Sequence, residues 1–276
     1  MKFVSYRLQD GRVRGGVVEG DRVRSLTASG GNDVVAHIAS GRETPVFEGL
    51  TFSLADVTLL APVQRPPRIF GIGLNYQAHA AESKMAVQSV PTVFLKLASS
   101  ITGPDTDVLL PPEATQPDYE AELAVVIGKP GARIAAADWE QHVFGYTIVN
   151  DVSARGVQLA TSQWTLGKSF ATFTPMGPWV VTRDEVPDPH ELDIRLTLSG
   201  EVMQSANTRD LIFRIPELIA YISSIVALEP GDIISTGTPP GVGLGRNPQR
   251  WLKPDEEMAI EIERIGTLTN RTRAVA

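Results

Sequence analysis

Cysteine is absent from the 276 residues. That absence removes disulfide scaffolds, thiolate nucleophiles and every sulfur-ligated zinc or iron–sulfur site, so any metal must be held by oxygen or imidazole. Basic residues are scarce as well: 25 Lys and Arg against 32 Asp and Glu leave a formal charge of −7, too little positive surface for the counterion release that drives nucleic-acid binding. Long apolar runs are also missing, because no stretch approaches the ~18–20 residues of a membrane span. The opening Met1-Lys2-Phe3-Val4-Ser5-Tyr6-Arg7 lacks the apolar core of a signal peptide. The expectation is a soluble cytoplasmic protein with neither nucleic acid nor membrane as a partner.

What is plentiful is Gly and Pro, with 24 and 20 copies, alongside 42% apolar residues. Such a composition predicts many turns and short strands around a real core rather than a helix bundle. The first sixty residues read as a strand meander, with Val4, Tyr6 and Leu8 alternating with polar residues and Asp10-Gly11 and Glu19-Gly20-Asp21 as turns. Asp33 through Ser40 suits one short helix. Ala61-Pro62 and Arg65-Pro66-Pro67 form a stiff link, which places a boundary between a small domain of residues 1–62 and a second domain of residues 63–276.

In the second part, eight runs bounded by Gly, Pro, Asn or Asp read as strands: 68–72, 92–96, 119–127, 144–150, 178–181, 193–198, 232–236 and 257–262. From Pro216 the apolar residues Leu218, Ile219, Ile222, Ile225 and Val226 recur at helical spacing, which predicts a helix packed on a sheet.

The segment Asp118-Tyr119-Glu120-Ala121-Glu122-Leu123 carries the most chemical information. Strand alternation puts Glu120 and Glu122 on one face, roughly 7 Å apart, with Ala121, Leu123, Val125 and Ile127 on the other. If buried, the pair demands a proton or a cation between its members; if exposed, it is a solvated strand start. Asp151 ends the apolar run 144–150 and could supply a third hard oxygen, a set that favours Mg²⁺ or Mn²⁺ and admits Ca²⁺, or it could serve only as a turn residue. His79 and Glu82, three residues apart, would share a helix face and form a base with its orienting carboxylate, or a plain surface pair. Gly71-x-Gly73 lacks the rest of a dinucleotide loop, since Tyr76 stands at the third glycine position. Lys168, near Trp164, Phe170 and Phe173, suits either a point charge in an apolar cleft or a plain surface salt bridge. The turn following Asp232–Thr236 is rich in Gly, and its amides with the Thr236 and Thr238 hydroxyls could grip an anion.

Taken in order, Ile72-Gly73-Leu74-Asn75-Tyr76 with His79 and Glu82, Asp118 to Leu123, Asn150-Asp151-Val152-Ser153-Ala154-Arg155, Gly167-Lys168-Ser169-Phe170, Gly177-Pro178-Trp179 and Thr236-Gly237-Thr238-Pro239 resemble the fumarylacetoacetate hydrolase family, over about residues 66–270. The resemblance implies an α+β, β-rich fold: a mixed β-sandwich roll with a small N-terminal α+β domain, assembled as a homodimer. It makes Glu120, Glu122 and Asp151 ligands of Mg²⁺ or Mn²⁺, His79 with Glu82 a water-activating pair on a lid, and Lys168 a stabiliser of developing negative charge. Arg155, Gln158 and Thr238 match positions that bind substrate. Asn75 stands where the animal tyrosine-pathway hydrolase carries a further acidic ligand, which points to a three-carboxylate branch. Ala171, Leu97 and Pro254 depart from the family's usual residues and bear on the pocket wall.

The implied activity is hydrolysis of a C–C bond in a β-diketo acid of the acylpyruvate or fumarylpyruvate kind, by way of an enolate. Oxaloacetate decarboxylation, or isomerisation or hydration of a 2-oxo-enoic diacid, would use the same residues. A non-catalytic β-rich binding module with a structural cation is the competing class, against which the presence of His79, Glu82 and Lys168 weighs.

Overall fold

In a computed structural model, described here for residues 1–27, 34–42 and 44–275, the described residues form two large sheets and a two-stranded one that pairs Pro117–Asp118 with Ser153–Ala154. A 12-stranded sheet begins with the N-terminal meander, in the order Phe47–Ser53, Arg22–Leu26, Val13–Glu19, Lys2–Arg7. It continues without a break through Thr174–Thr182, Val143–Asn150, Ala121–Ile127, Ile233–Ser235, Ile69–Gly73 and Thr92–Lys96. The join is the antiparallel pairing of Lys2 and Phe3 with Val181 and Val180. A five-stranded sheet, Glu201–Asn207, Asp193–Leu198, Glu257–Ile262, Gly266–Ala274, Asp107–Leu110, packs on the first. Most pairings are antiparallel, with parallel exceptions such as Ile233–Ser235 on Ile69–Gly73. This is the β-rich mixed architecture expected of the fold class.

The central strand Ala121–Ile127 is buried at every position, which corrects its expected division into an apolar and a polar face. Ala121, Leu123, Val125 and Ile127 enter the main core between the sheets, while Ala124 and Val126 enter a second core beneath the N-terminal strands and helix α1, Val34–Ala39. A strand covered on both faces reads as a continuous apolar run. Helix α1 corresponds to the helix expected over 33–40, whose first residue, Asp33, lies outside the described residues.

The other helices are α2, Gln77–Glu82, α3, Arg155–Gln158, and α4, Ile215–Ile225. Helix α4 has Pro216 in its first turn, and Glu217 Oε2 accepts from Arg214 N–H at 2.8 Å, which satisfies an amide the helix itself leaves free. Ile215, Leu218, Ile219 and Ile222 are buried, whereas Ile225 and Val226 are exposed because the helix ends there. The strands 47–53, 201–207 and 266–274 escape sequence reading: Gly49 interrupts the first, and the others are rich in polar residues that face solvent on an outer sheet.

Register places the site. Ala121 pairs with Asn150, so the entry to the central strand lies beside the exit of Val143–Asn150, and Asp151 N–H donates to Glu120 O at 2.9 Å. On the other side Ser235 pairs with both Ala124 and Gly71. The carboxyl ends of three strands therefore meet the amino end of a fourth, bringing Glu120, Glu122, Asp151, the Gly237 turn and the loop into α2 to one sheet edge.

Candidate metal centre and active site

Glu120, Glu122 and Asp151 are 4%, 1% and 0% exposed, and one oxygen from each lies within 4.8 Å of the others. The solvated strand start is thus excluded, and the three acids share a buried centre. Each carboxylate solves its desolvation differently. Glu120 accepts from Lys168 Nζ at 2.7 Å, and its Oε1 lies 2.6 Å from Arg155 Nη2. Burial alone would raise its pKa; Lys168 and Arg155 outweigh burial and hold it well below the usual carboxylate range. Asp151 accepts from Lys96 Nζ at 2.6 Å on Oδ1 and from Lys168 Nζ at 2.6 Å on Oδ2. Burial opposes the charge on Lys168, and the two acids around it reverse the effect and raise its pKa.

Among the described residues no cation pairs with Glu122. Both of its recorded bonds, from Ser235 Oγ at 2.6 Å and Gly237 N–H at 3.0 Å, fall on Oε2. Burial, then the nearby Asp151 and Glu120 charges, push its pKa far up. Four buried acids, Asp118, Glu120, Glu122 and Asp151, thus share three cations, Lys96, Lys168 and Arg155. A divalent ion among the three clustered acids would supply the charge that Glu122 lacks, and an all-oxygen donor set suits Mg²⁺ or Mn²⁺. Each carboxylate oxygen has two lone-pair sites, so the existing bonds orient the ligands without exhausting them. The residues fit the group.

Helix α2 brings His79 to the same cleft. Its Nδ1 lies 2.9 Å from Glu82 Oε1, and the burial of His79 removes it from the surface-pair reading. The cleft is lined by His79, Glu120, Glu122, Arg155, Gln158, Trp164, Lys168 and Thr238 together with Leu74, Met85 and Phe94. Of the residues expected to contact substrate, Arg155 donates from Nε to Asp118 Oδ2 at 2.9 Å and from Nη1 to Gln158 Oε1 at 2.9 Å. The Thr238 hydroxyl donates to Ala121 O at 3.0 Å and accepts from Gln204 Nε2, so it lines the cleft with its donor already committed.

Several details were not legible in sequence. The cation–ring partner of Lys168 is Phe94, 5.0 Å from Nζ, rather than Phe170 or Phe173. Gly71 and Gly73 leave room for the Phe94 and Trp164 rings, which a Cβ at either position would strike. The glycine-rich turn does grip anions, and they are the protein's own carboxylates: Gly237 N–H serves Glu122, Gly241 N–H serves Glu82, and Gly243 and Leu244 N–H serve Asp118. Lys96 closes the strand Thr92–Lys96 as a lone charge, a signal of the same kind as Asp151, and its ammonium also donates to the carbonyls of Lys168 and Phe173.

The sequence profile of the fumarylacetoacetate hydrolase C-terminal domain matches residues 68–273, and an N-terminal profile described as Rv2993c-like matches residues 1–62. The chain belongs to the fumarylacetoacetate hydrolase family. A mitochondrial oxaloacetate tautomerase of Bos taurus is 49% identical over 219 residues, covering 79% of this chain and 70% of the relative. Among solved structures, the fumarylacetoacetate hydrolase of Exiguobacterium antarcticum superposes with a TM-score of 0.90 at 36% identity over the whole of both chains. The maleylpyruvate hydrolase of Sphingobium sp. SYK-6, solved with manganese(II) and pyruvate, does so with 0.81 at 34% identity, again over both chains entire. Members of this family acting as hydrolases, isomerases and tautomerases are thus its relatives. Among the described residues no helix is long and apolar enough to cross a membrane.

Proposed function

We propose that this protein is a Mg²⁺- or Mn²⁺-dependent enzyme that interconverts the keto and enol forms of a small 2-oxo acid, with oxaloacetate as its first substrate. The observation that carries the reading is the His79–Glu82 pair facing the same buried cleft as the three clustered acids. Support for oxaloacetate comes from the tautomerase relative at 49% identity.

Glu120, Glu122 and Asp151 would hold the ion, which supplies Lewis acidity toward the 2-oxo group and charge neutralisation when bound. Glu82 fixes the imidazole through Nδ1, which leaves His79 Nε2 as the atom that takes the proton from the carbon beside the carbonyl and returns it. The same carboxylate stabilises the imidazolium while that proton is held. Lys168, bonded to Glu120 and Asp151, offsets negative charge growing on the substrate oxygens. Arg155, oriented by Asp118, presents a second fixed cation to a dicarboxylate. Phe94 and Trp164, 5.6 Å apart edge to face, wall the cleft against bulk water.

Hydrolysis of a C–C bond in an acylpyruvate is the second reading, favoured by the maleylpyruvate hydrolase neighbour. There His79 would deprotonate water instead of carbon. A homodimer belongs to the same proposal, and light scattering in solution tests it.

The deciding experiment supplies the Mn²⁺-loaded protein with oxaloacetate, following loss of enol absorbance, and with a panel of acylpyruvates and 2-oxo-enoic diacids, read by mass. Oxaloacetate enol should decay faster than in buffer, and EDTA should abolish the effect. Glu122→Gln or Asp151→Asn should lose Mn²⁺ binding and turnover together. His79→Ala should keep Mn²⁺ by calorimetry and lose about 10²–10⁴ in rate. EDTA-insensitive turnover would overturn the metal centre, and acylpyruvate cleavage without oxaloacetate tautomerisation would replace the first reading with the second.

A further inference from the structure

Glu82 is held at both oxygens. Oε1 faces His79 Nδ1, and Oε2 accepts from Gly241 N–H at 2.9 Å. The loop that supplies this amide is fixed in turn: Tyr119 Oη donates to Gly241 O at 3.0 Å, Gly243 N–H and Leu244 N–H donate to the Asp118 carboxylate at 2.7 and 3.0 Å, and Arg250 N–H donates to Gly243 O at 3.0 Å. Helix α2, by contrast, is six residues long and has no side-chain cap at its N-terminus. So short a helix does not persist on intrinsic propensity and needs tertiary anchors.

The space for the anchor comes from Gly245. A Cβ there would lie 2.7 Å from Glu82 Cδ and 2.8 Å from both Cγ and Oε2. Its φ lies outside the left-handed region, so the backbone would admit alanine; what alanine would displace is the end of the Glu82 side chain.

We propose that Gly245 is a positioning residue: the volume it leaves empty lets Gly241 N–H latch the Glu82 carboxylate, and the latch sets α2 and His79 against the cleft. The proposal deepens the reading of His79 as the proton-transfer base and rests on it for the effect on rate.

Gly245→Ala is the test, because the three atoms nearest the added Cβ belong to the flexible Glu82 side chain. In the Mn²⁺-loaded enzyme kcat toward oxaloacetate should fall by roughly 10–100-fold, a loss typical of a misplaced base, with KM and Mn²⁺ affinity within about twofold of wild type. Without substrate, hydrogen exchange at the amides of residues 77–82 should quicken. Glu82→Asp, which shortens the anchor and leaves the loop intact, should quicken the same amides, and this keeps the idea testable if Gly245→Ala folds poorly. In a Glu82→Ala background, adding Gly245→Ala should cost less than about twofold in kcat, since the two act through one contact.

Wild-type exchange at 77–82 in either variant overturns the latch. So does an undiminished kcat in Gly245→Ala, or an equal further loss in the Glu82→Ala background. If the wild-type protein turns over no 2-oxo acid, the functional reading fails instead, and the exchange measurement still decides the latch.

Discussion

Lys96→Met removes a cation from the centre while keeping most of its volume. Lys96 is 3% exposed, and its ammonium holds Asp151 Oδ1 at 2.6 Å together with the backbone oxygens of Lys168 and Phe173. Burial disfavours the charged amine, and Asp151 works against that effect. In the variant Lys168 remains as Asp151's cation among the described residues, and the carbonyls of Val152, Lys168 and Phe173 lose a donor. Breaking one side of a buried ion pair costs about 3–5 kcal/mol, because the remaining charge stays buried. An unfolding entropy near 2.1 cal/mol/K per residue over 276 residues is about 0.6 kcal/mol/K. The melting temperature of the metal-free protein should therefore drop by roughly 5–9 °C. Calorimetry with and without Mn²⁺ checks this, and Mn²⁺ should raise the melting temperature more in the variant than in wild type, since the ion replaces charge that Asp151 has lost. A metal-free variant melting within about 1 °C of wild type would refute the argument that Lys96 neutralises Asp151.

Asn75→Asp should not create a fourth ligand. Asn75 Nδ2 donates to Phe213 O and Thr236 O at 2.9 and 2.7 Å, so a carboxylate would face two carbonyls; urea unfolding should show a loss of about 2–4 kcal/mol, and a stabilised or tighter Mn²⁺-binding variant would contradict this. His190 accepts from Ile215 N–H at 3.2 Å, and burial lowers its pKa against the pull of Asp188. Its folded pKa thus lies below the unfolded value near 6.5, so its contribution is intact above about pH 6.5 and lost as pH falls toward the folded pKa. The difference in urea midpoint between wild type and His190→Gln, in which other titrations cancel, should shrink from pH 7.5 to pH 5.5; a constant difference would refute it. Trp164→Ala opens the wall over Gly73 and should raise kcat/KM for bulkier acylpyruvates relative to oxaloacetate by about tenfold, as steady-state assays of both would reveal.

How much of this was legible in sequence depended on whether a property was local. The pairing of Glu120 with Glu122, the run ending in Asp151, the His79–Glu82 spacing and the helix beginning near Pro216 follow from periodicity within one segment. Which strand ends meet does not. The entry of strand 121–127 lies beside the exit of 143–150 because Ala121 pairs with Asn150, and no window of sequence contains that register. The burial of both faces of 121–127 has the same origin: Ala124 and Val126 are covered by residues such as Phe3, Val17 and Ile38, more than 80 positions earlier in the chain.

Asp118 is the instructive case. In sequence it is one more acid beside a strand; in the fold its two oxygens accept from Tyr119, Gly243 and Leu244 amides and from Arg155. Three backbone donors and a guanidinium on one buried carboxylate make a rigid joint between the arginine that faces the cleft and the loop on which Glu82 rests. The joint has a directional consequence. A perturbation at Asp118 must move Arg155 and the Glu82 anchor together, whereas one at Gly245 moves the anchor alone. Asp118→Asn should therefore raise KM and lower kcat at once, while Gly245→Ala lowers kcat with KM held. Steady-state kinetics of the two variants side by side separate these patterns, and a shared pattern would mean that the loop and the arginine are not joined through Asp118.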